Sequence, residues 1–175
     1  VSRGLGDVYK RQTYDGTIEY TCRVIDYLVP TATEGNKALA TLVDKNGNNV
    51  KTYSSDAKDI TMPMAVLINS DTAGYGELFA CDLKDFGKAF LIGEKTAGRA
   101  DVQETFELSD GGAVVLTTSK MLPYISESFD GKGLTPDTEI ILADSLRENL
   151  STLEKERDTQ LQAAISMLAG NSSEG

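Results

Sequence analysis

Histidine is absent from the 175 residues, and that zero constrains the chemistry before any motif is considered. Without imidazole there is no Ser-His-Asp or Cys-His nucleophile and no His-ligated metal site. A nucleophilic mechanism must then draw its base from a lysine, a carboxylate or an N-terminal amine. Ser70 and Thr72, hydroxyls in the turn after the apolar run Met64 to Ile68, and Lys95, in the loop beyond the next apolar run, are fallback candidates for such work. A Ser/Thr-Lys dyad needs a desolvated lysine held against the hydroxyl, because an exposed amine with a pKa of about 10.4 is almost fully protonated at neutral pH. The two cysteines, Cys22 and Cys81, sit among apolar neighbours and have no histidine to activate them, so a thiol mechanism is a poor alternative. They read as two buried thiols, with an extracytoplasmic disulfide as the other reading.

The elements that must position these groups are legible around residues 64–103. Met64 to Ile68 has the length of a buried strand and is closed by the turn-forming set Asn69, Ser70 and Asp71. Leu78, Phe79, Leu83 and Phe86 then recur at helical spacing, with Glu77, Asp82, Lys84 and Asp85 assigned to the opposite face. Gly87 ends the helix and Ala89 to Ile92 begins a second strand, so the unit is a parallel crossover. Nucleophiles and ligands favour the carboxyl end of the first strand of such a unit, where the helix points its free N–H groups.

The same stretch resembles the C-terminal processing, or tail-specific, serine peptidases. That family follows a Ser/Ala-rich turn and a helix glutamate with "D-Y/F-G-K/R-A", "G-E-K-T-x-G-K-G" and "V-Q". The matching residues are Glu77, Asp85-Phe86-Gly87-Lys88-Ala89, Gly93-Glu94-Lys95-Thr96-Ala97-Gly98 and Val102-Gln103. The resemblance puts the family's nucleophilic serine on Gly74, three residues before Glu77, and its general-base lysine on Arg99, 25 positions later. Glycine has no side-chain oxygen, and an arginine guanidinium does not release its proton in a protein. Gln103 matches a glutamine that assists the lysine in some members. The oxyanion region implied by the resemblance comprises Gly16 and Tyr75. Asp15 beside Gly16 is electrostatically adverse to an oxyanion. The resemblance therefore implies a protease fold whose reaction centre has been dismantled.

The likeness extends over Gly16 to Leu168. Ile18, Cys22, Ile25 and Leu28/Val29 form the stripe of an amphipathic helix ending at Pro30. Asn46-Gly47 between the runs Ala38 to Val43 and Val50 to Tyr53 signals a hairpin. A second hairpin joins Asp101 to Leu108 with Ala113 to Ser119, where LSDGGAVVLTT resembles the family's "L-S-D-G-S-A-L-K-L-T-T". Gly131-Lys132-Gly133-Leu134-Thr135-Pro136-Asp137 resembles its "G-K-G-I-E-P-D", with Lys132 read as a solvated loop lysine rather than a replacement base. Asp144 is expected to cap a helix through Glu156, and Asp158 another from Thr159 to Leu168. The expected fold is α/β: a crotonase-like layered core of small sheets with crossover helices, truncated at its N-terminal end.

Residues 1–12, VSRGLGDVYKRQ, look from Ser2 onward like a translated sequencing-library adapter and are set aside from fold reasoning. This divides the chain into that leader, a protease core over 13–169 and a flexible tail over 170–175. Composition is that of a globular domain, 40% hydrophobic and 25% charged, and the formal charge of −10 disfavours nucleic acid or an anionic membrane surface. No cofactor and no metal are expected. The resemblance implies protein or peptide C-termini as ligands, a second copy or an active paralogue as partner, and an extracytoplasmic location. Three functions follow: a degenerate family member that binds peptides, an endopeptidase with a displaced dyad from Thr72, Ser70 and Lys95, and an acyl-thioester binder of the wider superfamily. The last has no basic cluster to support it.

Overall fold

The computed structural model describes residues 16–29, 37–55, 62–147 and 150–171. The leader over 1–12, residues 13–15, Pro30 and residues 172–175 lie outside them. Helix α1 (Ile18–Leu28) starts where the Thr17 hydroxyl accepts the Tyr20 N–H at 3.3 Å, and its buried face is Ile18, Cys22 and Ile25. Strands β1 (Ala38–Val43) and β2 (Asn49–Ser54) form the first hairpin. Asp44 closes its turn by accepting the N–H groups of Asn46 and Asn48 at 2.8 and 2.9 Å.

Strand β3 (Met64–Ile68), helix α2 (Tyr75–Asp85) and strand β4 (Ala89–Gly93) make the parallel crossover. Val66 and Ile68 point into the main core with Leu78, Leu83 and Leu91, whereas Leu67 and Ile92 point to the other face. There helix α4 (Thr159–Asn171) covers them with Ala164, Leu161 and Met167. Burial on both faces explains why β3 and β4 are apolar throughout rather than alternating. Strands β5 (Asp101–Glu107) and β6 (Ala113–Leu122) form the second hairpin. With β7 (Thr138–Glu139) the chain builds a four-stranded antiparallel sheet, β2-β1-β6-β5, and a three-stranded parallel one, β3-β4-β7. These are the small sheets and crossover helix of the expected α/β class.

Two expectations need correction. The helix foreseen over 144–156 is instead a short α3 (Asp144–Arg147) followed by single 3₁₀ turns at Leu150–Thr152 and Lys155–Arg157. Arg147 turns back to Glu94 and to the Leu142 carbonyl, and Glu154 adopts an extended backbone, which ends helical propagation. Helix α4 does start after Asp158, whose carboxylate accepts the Leu161 N–H at 3.0 Å, and it continues to Asn171, past the expected start of the tail. The second correction concerns α2: Glu77 and Asp82, assigned to its polar face, are both fully buried.

Candidate active site

The turn after β3 is built by Asn69, whose side-chain carbonyl accepts the N–H groups of Asp71 and Thr72 at 3.0 and 3.1 Å. The Thr72 hydroxyl accepts the Asn69 N–H at 3.1 Å, which locks the turn from the other side. Gly74 follows as the N-cap of α2, at φ +60° and ψ −118°, a backbone state that side chains with a Cβ rarely adopt. The chain then places Glu77 one turn into the helix.

Glu77 joins this turn to the loop after β4. Its Oε2 accepts the N–H of Gly74 at 3.0 Å and of Arg99 at 2.8 Å. Its Oε1 accepts the Thr96 hydroxyl at 2.5 Å and the Gly98 N–H at 2.7 Å. Four donors on two oxygens use the acceptor capacity of a carboxylate, which is how a charge with no exposed surface is tolerated in a core. The Ala97 N–H donates to the Thr72 carbonyl at 3.0 Å, so the loops are also paired directly. Below them lies the 131–134 loop, bound through Gly131 N–H to the Gly98 carbonyl and Leu134 N–H to the Thr96 hydroxyl. A Cβ on Gly98 would fall 2.7 Å from the Gly133 nitrogen, so this approach admits only glycine there.

The result is a polar cavity of about 410 Å³ whose wall includes Gly16, Gly74, Tyr75, Arg99, Asp101 and Gln103. The five positions that the family resemblance singles out are thus brought to one place. Gly16 and Tyr75 also line a neighbouring apolar cavity of about 300 Å³, closed by Val24, Val66 and Phe79. Of the fallback residues, Thr72 borders the apolar cavity but is buried, with its hydroxyl engaged by Asn69. Ser70 and Lys95 are exposed and line neither cavity. Lys132 is paired with Glu127 at 3.0 Å on the surface. Among the described residues no cluster of side chains could hold a metal ion.

Residues 16–140 match the profile of peptidase family S41. The chain belongs to that family. It is 34% identical over 119 residues to a carboxyl-terminal-processing protease of Picosynechococcus, covering 67% of this chain and 28% of that protein. It is 40% identical over 103 residues to carboxyl-terminal-processing peptidase 1, chloroplastic, of Arabidopsis thaliana, covering 58% of this chain and 21% of the relative. Its fold is similar to that of the photosystem II D1 C-terminal processing protease, with a TM-score of 0.64 at 26% identity over 83% of this chain and 38% of that one. The S41 chain thus spans less than a third of the length of these two curated relatives.

Sequence reasoning used Glu77 only as a motif marker and missed it as the residue that holds the site together. The signal was present in its spacing: a carboxylate three residues after an N-cap is placed to reach back to that cap. Nothing local pointed to its partners at 96–99. Asp82 was missed as well. Its Oδ1 accepts the Tyr124 N–H at 3.0 Å, while Oδ2 has no partner among the described residues. Burial, reinforced by the neighbouring Asp85, pushes this carboxyl up to about 8. Burial likewise raises both thiols, Cys22 and Cys81, to about 12, and neither forms a disulfide.

Proposed function

We propose that this S41 chain binds peptides without hydrolysing them. The observation that carries the reading is the pair of residue types lining the polar cavity: Gly74 where the family resemblance expects a serine and Arg99 where it expects a lysine. Glycine offers no alkoxide, and a guanidinium does not give up its proton to serve as a base in a protein. The surrounding frame is retained, since the Glu77 carboxylate still holds the two loops at hydrogen-bond distance. A peptide C-terminus is the ligand supported by the relatives' names, both of which specify carboxyl-terminal processing. An extracytoplasmic location belongs to the same reading and rests on family resemblance.

The test is intact-mass analysis of peptides incubated with the full chain and with the double variant Gly74→Ser, Arg99→Lys. The unaltered chain leaves peptide masses unchanged; cleavage gained only in the double variant supports the reading. Cleavage by the unaltered chain overturns it, and loss of that cleavage in Thr72→Ala, Ser70→Ala or Lys95→Ala identifies a displaced dyad instead.

A further inference from the structure

We infer that Arg99 anchors the terminal carboxylate of a peptide whose last side chain is apolar and enters the neighbouring cavity. This rests on the reading of the site as a non-hydrolysing peptide binder and specifies what it holds. Among the described residues the Arg99 guanidinium makes no ion pair and no hydrogen bond. Its backbone is nonetheless fixed, because its N–H is one of the four donors on buried Glu77. A permanent cation with a planar fork of donors, held at the root and open at the tip, matches a carboxylate in geometry and charge.

The two cavities define the rest of the ligand. They meet at Gly16 and Tyr75, so a group bound at Arg99 and a group in the apolar cavity lie on either side of one shared wall. Gly74, on the wall of the polar cavity, leaves the space clear: a Cβ built there meets only the Arg99 carbonyl, at 4.0 Å. A carboxylate with an apolar side chain on the adjacent carbon is the C-terminal residue of a peptide. A fatty acid shares the carboxylate and the apolar tail, but the remaining wall favours a peptide. Gln103 and Thr105 lie on β5, the edge strand of its sheet among the described residues, and offer polar side chains and an unpaired backbone edge to an extended chain. Among the described residues Asp101 is the one other charged residue on this wall, and it opposes an anion, so it lowers affinity rather than creating it.

The experiment measures fluorescence anisotropy of a labelled hexapeptide ending in Ala-Leu, as free acid and as C-terminal carboxamide, on the full chain. The expected result is free-acid binding at least about tenfold tighter than the amide, the scale of one charge-assisted contact. Arg99→Gln abolishes the preference by weakening the acid alone, and Asp101→Asn tightens the acid. Thermal melts of each variant establish that it is folded. Equal binding of acid and amide, or a preference that survives Arg99→Gln, overturns the anchor while leaving the inactive peptide binder intact. Binding of neither peptide overturns both, as does hydrolysis, which would put an amide carbonyl where the carboxylate belongs. Saturable binding of decanoate with no binding of the peptides assigns the cavities to a fatty acid and overturns the inference.

Discussion

The Glu77 carboxylate accepts the backbone N–H of Arg99, 22 residues further along the chain, at 2.8 Å, on the same oxygen that accepts the N–H of Gly74 at 3.0 Å. One buried side chain therefore sets the distance between the two backbone segments that form the site. This places the frame and the chemistry on separate residues: Gly74 and Arg99 can change type while the contact that positions them, which uses only their N–H groups, persists.

Replacing Glu77 tests that separation. In Glu77→Gln the amide nitrogen faces N–H donors at one end of the side chain, so two contacts are lost and buried donors are left unmatched. A cost of about 3 kcal/mol is expected, or roughly 10 °C in Tm for a domain of this size. Hydrogen exchange at Gly74, Gly98 and Arg99 should accelerate together. A variant that melts within a degree of the parent would remove Glu77 from this role.

Gly74 has space for a side chain but lacks the backbone state for one. With φ at +60° and ψ at −118°, any residue bearing a Cβ is strained by about 1–3 kcal/mol, although the nearest non-neighbour atom is 4.0 Å away. Gly74→Ala and Gly74→Ser should therefore lower Tm by the same few degrees. If serine is markedly better than alanine, the hydroxyl has found a partner and strain is not the governing term. Thermal melts of the two variants decide this.

The extent to which this fold was legible follows from where each signal lies. The parallel crossover could be read from short-range pattern, because β3 and β4 are apolar runs of strand length bounded by turn residues, and both hairpins announce themselves through Asn-Gly and Asp-Gly-Gly. The region after Asp144 could not. Leu146, Leu150 and Leu153 have helical spacing, yet Arg147 is drawn to Glu94, 53 residues earlier, a contact that no local window contains. Glu77 and Asp82 illustrate the same limit at the site: a carboxylate on a helix reads as a solvated face unless its distant partners are known. Of the candidate residues, Gly74, Arg99, Gln103, Gly16 and Tyr75 came from family resemblance, and the structure brings these five to one cavity.

The thiols provide an independent check on the core. Cys22 is 4% and Cys81 2% exposed, and burial raises both to about 12, so thiolate is scarce at pH 8. A disulfide-exchange reagent such as Ellman's should titrate neither cysteine in the native protein within an hour and both in guanidinium chloride. Rapid native reaction at one of them would mean that helix α1 opens away from α2 far more often than its packing allows.

Asp82 gives the chain a pH dependence opposite to that of a salt-bridged carboxylate. Its ordinary value is 3.8 and burial raises it to about 8 in the folded protein. Between these limits the unfolded chain carries the carboxylate and the native protein carries the acid, so folding takes up a proton. This group's contribution is fully present below pH 4, falls as pH rises by up to about 1.4 kcal/mol per unit, and levels off above pH 8. Asp82→Asn removes the titration yet keeps a carbonyl oxygen for the Tyr124 N–H. The variant should therefore melt several degrees above the parent at pH 8, with the gain shrinking toward zero at pH 4. Melting curves at half-unit intervals measure this, and parallel pH profiles for the two proteins would show that Asp82 is ionised in the native state.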